Sequence, residues 1–124
     1  MKIVLLGDPR TKKNSQRLVP FGGRMIPLTS KAYSDYERDC LAQITGDKRK
    51  AIDCPVNVQA VYYMGTRRRV DLTNLLEATD DILTAAGVIL DDHSGIVAGH
   101  DGSRVRYDKD NPRTEIDITW IMEE

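Results

Sequence analysis

Long apolar runs and cysteine are what this chain of 124 residues most clearly lacks. No apolar stretch approaches the roughly 18 residues of a membrane-spanning helix, and the first residues carry no small-residue cleavage site of a secretory signal. Two cysteines, Cys40 and Cys54, are too few for a disulfide framework or a zinc site. These absences, together with the length, predict one soluble, cytoplasmic domain over residues 1–124.

Several common catalytic motifs are missing as well. The basic loop at residues 7–17 lacks the glycines of a phosphate-binding loop, which disfavours nucleotide binding. His93 and His100 are seven residues apart, a spacing that fits no common zinc pattern. We expect His93 to border an acidic site at most, and His100 to be a surface or strand residue. The serines and threonines lack the sequence context of a nucleophile, so other side chains must supply any chemistry.

The order of the apolar segments predicts an α+β fold, with two main helices packed on a mixed β-sheet. Helical spacing of apolar residues predicts helices at about 31–45 and about 72–86. Alternating patterns and short apolar runs predict strands at 2–6, 18–20, 24–28, 56–64, 96–99, 104–107 and 114–122.

Capping and turn residues delimit these elements. Ser30 is a favourable residue for the start of the first helix, and Gly46 and Gly87 are expected to end the two helices. The dipeptide Asp101-Gly102 is common in tight turns. It therefore predicts a hairpin between the short strands on either side of it.

Charge is distributed unevenly, although the net charge is only −1. Residues 1–70 carry 14 positive and 6 negative side chains, whereas residues 71–124 carry 4 positive and 13 negative ones. The sign changes between Arg69 and Asp71. Such asymmetry hints at a polyanionic partner, although scattered surface charge could give the same totals.

An acidic stripe is predicted on the second helix. Asn74, Glu77 and Asp81 recur at helical spacing, and Asp71 extends their face to the helix start. An aspartate such as Asp81 is unfavourable near a helix C-terminus, which hints that a cation lies beside it. Only four residues separate the helix end from the pair Asp91–Asp92, so this pair could return to the acidic face.

Clustered carboxylates beside basic residues are typical of metal-assisted phosphodiester hydrolysis. Carboxylates repel one another unless they are protonated or bridged by a cation, and Mg²⁺ prefers oxygen ligands. A bound metal ion activates water, while basic side chains hold the flanking phosphates. The basic candidates are Arg67, Arg68 and Arg69 and, in the N-terminal loop, Arg10, Lys12, Lys13 and Arg17, with Asn14 as a polar neighbour. A solvated acidic helix face and a solvated basic loop, without any site, would account for the same residues.

One stretch, residues 67–96, carries several residues at fixed offsets. They are the three arginines, Asp71-x-x-Asn74-Leu75, Asp81-x-Leu83, Ala86-Gly87-Val88 and Asp91-Asp92. This pattern resembles the RusA family of Holliday junction resolvases, and the loop at 11–15 resembles the N-terminus of phage-borne relatives. The resemblance implies a RusA-like fold and a homodimeric endodeoxyribonuclease that cuts four-way DNA junctions with Mg²⁺, Mn²⁺ being a possible substitute. It also implies a phage or prophage setting in DNA recombination, replication or repair.

The resemblance assigns roles to individual residues. Asp71 matches the first catalytic aspartate of the family, and Asp92 matches the catalytic aspartate of the acidic pair. Both are first-ranked metal ligands. The second-ranked candidates are Asp91, Glu77 and Asp81. The residues expected to contact DNA are Lys12, Lys13, Asn14, Arg17, Arg67, Arg68, Arg69 and Asn74.

Two positions depart from the family pattern. The second aspartate of the family falls on Thr73, and its catalytic lysine falls on Glu77. We interpret Glu77 as a compensating carboxylate, with the missing positive charge supplied by Lys12, Lys13 or an arginine. Thr73 could instead cap the helix, which would be a purely structural role.

The alternatives belong to other functional classes. The two departures could leave a junction-binding protein that does not cut, and the acidic cluster could instead hydrolyse small phosphate esters with Mg²⁺. An α+β domain without a site is the third alternative. For a junction resolvase, two symmetric nicks are most simply made by a two-fold dimer. The candidate dimer surfaces are the strand edges at 96–122 and the hairpin at 18–28.

Overall fold

A computed structural model describes residues 1–12 and 16–121 of the chain. This part folds into two α-helices, a five-stranded mixed sheet and a separate two-stranded hairpin, which confirms the predicted α+β class. The helices are α1 (Lys31–Gln43) and α2 (Leu72–Ala85). The strands are β1 (Lys2–Leu6), β2 (Gln16–Phe21), β3 (Arg24–Thr29), β4 (Val56–Met64), β5 (Val97–Gly99), β6 (Arg104–Tyr107) and β7 (Arg113–Trp120).

The central strand β4 organises the sheet. It pairs antiparallel with β7, which in turn pairs antiparallel with β1. Alternate β4 residues are buried, as the period of a half-buried strand requires. The buried residues belong to one apolar core with the inner sides of the two helices. The opposite face of the sheet remains partly open to solvent.

The predicted hairpin between 96–99 and 104–107 is wrong. Both segments form strands, but β5 and β6 follow one another along the same edge of β4 and run parallel to it. The intervening turn is bonded to β4 instead of joining two antiparallel strands. The Asn57 side chain accepts from the Asp101 amide at 2.8 Å and donates to its carbonyl at 3.1 Å. The turn is therefore held against β4, and the chain continues in the same direction beyond it.

The first helix matches its prediction closely. The Ser30 hydroxyl accepts a hydrogen bond from the Tyr33 amide at 3.2 Å, so Ser30 caps the helix as expected. Tyr33, Tyr36 and Cys40 are buried on the predicted face. The helix ends at Gln43, before the predicted stop, because Gly46 instead begins a short 3₁₀ turn.

The second helix begins and ends at residues that explain its bounds. Asp71 occupies the capping position, and its carbonyl accepts from the amides of Asn74 and Leu75. Thr73 lies inside the helix, so its alternative role as a cap is wrong. Gly87 has a φ of +75°, a conformation that strains residues with a β-carbon, and it ends the helix as predicted.

The strand β1 lies at the edge of the sheet and is only half-buried, although its apolar residues predicted a buried strand. Val4 is 51% exposed, whereas Leu5 is 1% exposed. The side chain of Gln43 covers part of the free edge. Its Oε1 accepts from the Leu6 amide at 2.6 Å, and its Nε2 donates to the Leu6 carbonyl at 2.9 Å. An amide side chain thus occupies the place that a further strand would take.

The last strand is shorter than the predicted segment. Ile116 and Ile118 face the core, whereas Trp120 is 48% exposed. Met122, the end of the predicted strand, lies outside the described residues. In the described part of the chain, no helix combines the length and the apolar character that crossing a bilayer requires.

Candidate functional site

The acidic stripe on α2 forms as predicted, and it faces the N-terminal loop. Asn74, Glu77 and Asp81 line a shallow recess together with Lys12. The Lys12 ammonium lies 3.3 Å from Asp81 Oδ2 and 5.8 Å from the centre of the Tyr33 ring. The expectation that a cation lies beside Asp81 is therefore confirmed, and that cation is a lysine of this chain.

The acidic pair Asp91–Asp92 returns to the same side of the molecule. The chain after α2 is fixed by a parallel bridge between Ile52 and Ile89 and by a bond from the Leu90 amide to the Ile52 carbonyl. Asp91 and Asp92 follow this anchor and are exposed. The Asp92 amide donates to Asp91 Oδ1 at 2.7 Å, which orients the two carboxylates.

The neighbouring carboxylates affect the pKa of Asp92. Partial burial raises the pKa of Asp92, and its hydrogen bond with Asp91 and the negative charges of Asp81, Asp91 and Asp80 raise that pKa further. The carboxylates of Asp81, Asp91 and Asp92 thus lie within one another's electrostatic reach, and we refer to them as the acidic group. Binding of a cation would stabilise this group, because it relieves the repulsion between the carboxylates.

The donor set of the acidic group fits a hard divalent cation that keeps part of its water shell. Mg²⁺ is usually held by one or two carboxylates, with water and substrate phosphates as the other ligands. Among the described residues, no three side chains of His, Cys, Asp or Glu converge closely enough to enclose an ion. A site built from two of these carboxylates, completed by water or another oxygen ligand, is therefore the arrangement that the geometry allows.

Asp71 lies on a different part of the surface from Asp81. It lies ten residues from Asp81, which corresponds to about 15 Å along a helix axis, so the two cannot hold one ion. Asn74 Nδ2 lies 3.4 Å from Asp71 Oδ2. Asp71 also lines a cleft of about 360 Å³ whose charged walls come from Arg10, Arg68 and Arg69. We call this the arginine cleft.

The three consecutive arginines have different environments. Arg68 is half-buried and donates to Asp8 Oδ2 at 2.7 Å and to the carbonyl of Pro9, so it ties the N-terminal loop to the segment before α2. The Arg67 guanidinium stacks 4.1 Å from the centre of the Tyr107 ring. Arg69 is exposed at the arginine cleft. Of the three, Arg69 is the side chain best placed to meet a phosphate.

Part of the predicted DNA-binding loop cannot be compared with the structure. Lys13 and Asn14 lie outside the described residues, and Arg17 is described only by its backbone position in β2. Asp8, which the sequence did not single out, organises the described end of this loop. Its Oδ1 accepts from the Gly65 amide at 2.8 Å, and its Oδ2 lies 3.5 Å from Arg10 Nη2.

Sequence reasoning missed a contact between a buried aspartate of α2 and a half-buried histidine. Asp80 Oδ2 lies 2.8 Å from His100 Nε2, and only 10% of the Asp80 side chain is exposed. The sequence carried one signal for this contact, which is the helical phase of Asp80. It places Asp80 on the core side of α2, where Thr79 and Ile82 are buried. His93 has a local role, since its Nδ1 accepts from the Gly95 amide at 3.0 Å.

Comparison with known proteins gives one family. A family model described as Endodeoxyribonuclease RusA matches residues 7–119 of the 124-residue chain. The matched region contains both helices, the acidic group and the arginine cleft. A search of curated proteins finds no match.

Proposed function

Because this chain belongs to the RusA family of endodeoxyribonucleases, which act on branched DNA and resolve Holliday junctions, we propose that it cuts four-way junctions by paired, symmetric nicks with Mg²⁺. The observation that carries the proposal is the return of Asp91–Asp92 to the side of Asp81, where the negative charges of Asp81 and Asp91 raise the pKa of Asp92. At the start of α2, toward the other end of the helix from Asp81, the arginine cleft offers positive charge to a phosphate backbone. We propose residues 1–124 as one nuclease domain.

The RusA family is generally dependent on divalent metal ions, and the acidic group supplies the fitting ligands here. Asp92 would hold the ion, with Asp91 or Asp81 as the second carboxylate. When bound, the ion supplies an activated water and neutralises charge on the scissile phosphate. Mn²⁺ prefers similar oxygen ligands and would support the same reaction.

Other residues of the chain bind the DNA phosphates and balance the charge of the site. Arg69 and Arg10 bind the phosphates that flank the cut, because guanidinium groups pair with phosphate oxygens in a fork geometry. Lys12 neutralises Asp81. It also lines the same recess as Glu77, which occupies the position of the family's lysine. Asp71 stays a candidate ligand by its position in the family pattern, at the end of the arginine cleft.

Paired nicks require two active sites related by symmetry, and one chain offers one acidic group. We therefore propose a two-fold homodimer, which presents two such groups to the two equivalent strands of a four-way junction. Junction DNA would be recognised through its shape and its phosphate charge, without a dedicated base-reading motif.

Cleavage of a synthetic four-way junction tests this function. Incubation with Mg²⁺ should give two nicks at symmetric positions, whereas linear duplex of the same sequence should stay largely intact. A second set with EDTA in place of Mg²⁺ should show binding without nicks. Equal cutting of linear duplex and junction would contradict structure-selective cleavage.

A junction-binding protein without cleavage is the second candidate, and the departures at Thr73 and Glu77 favour it. Glu77 and Lys12 line the same recess, so a carboxylate lies at the position where the family has its lysine. Tight binding of the junction with Mg²⁺ or Mn²⁺ present, and no nicks with either ion, would support this candidate.

Salt dependence tests the role of the arginine cleft. The logarithm of the affinity for the junction should fall steeply and linearly with the logarithm of the salt concentration, because each neutralised phosphate releases bound counterions. Arg69→Ala should lower the slope by about 1, the contribution of a single phosphate contact. Arg38→Ala is the matched control, because Arg38 is an exposed arginine of α1 that pairs with Asp35 at 2.9 Å. An identical change of slope in both variants would refute a specific role of Arg69.

A further inference from the structure

A second basic surface lies on β6, at the edge of the sheet. All four residues of β6 are exposed, and within the described chain β4 is the one strand that pairs with it. Arg104 and Arg106 alternate with Val105 and Tyr107, so the two arginines project from the same side of the strand, about 7 Å apart. Among the described residues, neither guanidinium has a carboxylate partner.

Arg67 joins this surface from the segment before α2. Its guanidinium lies 4.1 Å from the centre of the Tyr107 ring, and Tyr107 is 40% exposed. Arg67, Arg106 and Tyr107 line an open recess of about 310 Å³. Stacking on the ring orients the guanidinium and leaves its N–H groups free to pair with phosphate oxygens. We call Arg67, Arg104, Arg106 and Tyr107 the edge patch.

The edge patch is continuous with the arginine cleft. Arg68 lines both the cleft and the recess on β6, and Arg67 and Arg69 on either side of it open onto these two adjoining surfaces. Asp108, the acidic residue that follows β6, is paired with Arg113 at 2.8 Å. Among the described residues, the lining of the recess contains no acidic side chain. Positive charge therefore extends from the cleft to the edge of the sheet.

Protection of the sheet edge does not account for the whole patch. Charged side chains on an edge strand hinder the addition of a further strand, and Arg104 and Arg106 would have this effect. Arg67, however, lies outside the strands and is brought to the edge by its stacking on Tyr107. A third positive charge beside two others raises the electrostatic energy unless an anion compensates it. The patch therefore fits an anionic partner.

A second copy of this chain fits the edge patch poorly. In a two-fold contact the same surface of both copies meets, so pairing of β6 with itself would bring the arginines of the two copies together. Like charges that face each other across a strand pair are destabilising. A DNA strand instead carries one negative charge per about 3.4 Å of helix axis, which complements the patch.

We propose that the edge patch binds the phosphate backbone of a DNA arm, beyond the phosphates that the arginine cleft binds. In this proposal Arg67, Arg104 and Arg106 each contact a phosphate, and Tyr107 is a positioning residue that holds Arg67. The contact does not depend on base sequence, because only the backbone is bound. The inference deepens the proposed function and rests on it, because it presupposes that the chain binds branched DNA.

The affinity for a four-way junction, measured by fluorescence anisotropy in EDTA over a range of salt concentrations, tests the proposal. The double arginine variant, Arg104→Gln with Arg106→Gln, keeps long side chains and removes two charges. It should lower the salt slope by about 2 and the affinity by roughly tenfold or more at about 0.15 M salt. Arg38→Gln with Lys50→Gln removes two exposed positive charges elsewhere and should leave the slope unchanged.

Substitutions of Tyr107 test its positioning role. Tyr107→Phe keeps the ring beneath Arg67 and should bind the junction like the unmodified protein. Tyr107→Leu removes the ring and should lower the salt slope by up to about 1, as Arg67→Gln does. In combination, Tyr107→Leu and Arg67→Gln should lower the slope no further than Arg67→Gln alone, because both remove the same contact. Additive losses would refute the positioning role.

The outcomes distinguish this proposal from the function it rests on. If the unmodified protein binds and nicks the junction, and the double arginine variant has the same affinity and salt slope, the edge patch is refuted while the proposed function stands. Equal losses in the control variant would assign the effect to net charge and refute the patch. A dimeric unmodified protein with a monomeric double arginine variant, seen by light scattering, would assign the edge to contacts between copies. If the unmodified protein does not bind the junction, the proposed function and the inference both fail.

Discussion

Asp92→Asn should abolish junction cleavage, lowering its rate by about 10³-fold or more, while the protein still folds and still binds the junction. Asparagine removes the negative charge that holds the metal ion and leaves the shape of the side chain unchanged. A thousandfold loss corresponds to about 4 kcal/mol of transition-state stabilisation, which is within the range of metal-ion catalysis. The measurement is the rate of nicking at saturating enzyme, with binding followed separately by gel shift in EDTA.

The exposed position of Asp92 makes this variant easy to interpret. Its described hydrogen bond comes from its backbone amide, which asparagine also has, so stability should change by no more than about 0.5 kcal/mol. Asp39→Asn, at an exposed position of α1, is the matched control for the loss of one surface charge, with unchanged cleavage expected. Asp71→Asn shows whether the arginine cleft takes part in the same step. Nicking by Asp92→Asn at the unmodified rate would remove Asp92 from the proposed metal site.

Glu77→Ala should lower Mg²⁺-dependent cleavage by about 10²-fold and leave junction binding and folding intact. Glu77 is exposed one turn before Asp81, and both line the recess that contains Lys12. Its removal takes a carboxylate from the stripe and leaves Asp81, which lies 3.3 Å from the Lys12 ammonium, as the remaining acidic side chain of the recess. Alanine is the best helix former, so the helix itself should not suffer. Nicking rates over a Mg²⁺ titration measure the effect.

Glu77→Lys is the informative companion of this variant. It places the residue type of the family at this position, opposite the ammonium of Lys12. If Glu77 compensates as a carboxylate, the lysine should be at least as harmful as alanine. Cleavage that appears only in Glu77→Lys would show that the site of the unmodified protein is degenerate, and it would support the junction-binding alternative. Full activity of Glu77→Ala would contradict the compensating role.

The features of local sequence were the predictable ones. The acidic stripe on α2 follows from the helical period, and the cap at Ser30 and the stop at Gly87 follow from the backbone chemistry of those residue types. The cation beside Asp81 was also predictable, because an aspartate at that end of a helix opposes the helix dipole. None of these inferences requires knowledge of contacts between distant residues.

The features that failed depend on long-range packing. Whether two short strands pair with each other or with a third strand depends on the whole sheet. Here β5 and β6 both pair with β4. The partner of Arg68 is Asp8, 60 residues away, and no local pattern joins them. The contact between Asp80 and His100 was missed because it joins residues 20 positions apart, and no local pattern connects them.

The position of the acidic pair relative to Asp71 could not be predicted from the sequence. Helical spacing alone places Asp71 about 15 Å from Asp81 along the axis of α2. The path of the loop that carries Asp91 and Asp92 depends instead on the bridge between Ile52 and Ile89, which are 37 residues apart. The variants at Asp71 and Asp92 test whether both residues take part in cleavage.

The amide of Gln43 at the free edge of β1 bears on how copies of this protein can meet. An uncovered edge strand is a template on which another chain can add its own strand, and repeated addition leads to fibrous aggregates. Here the amide already occupies the donor and the acceptor of Leu6. Ribbon-like growth from this side would first have to displace it. A two-fold assembly of the enzyme would therefore be favoured at another surface of the molecule.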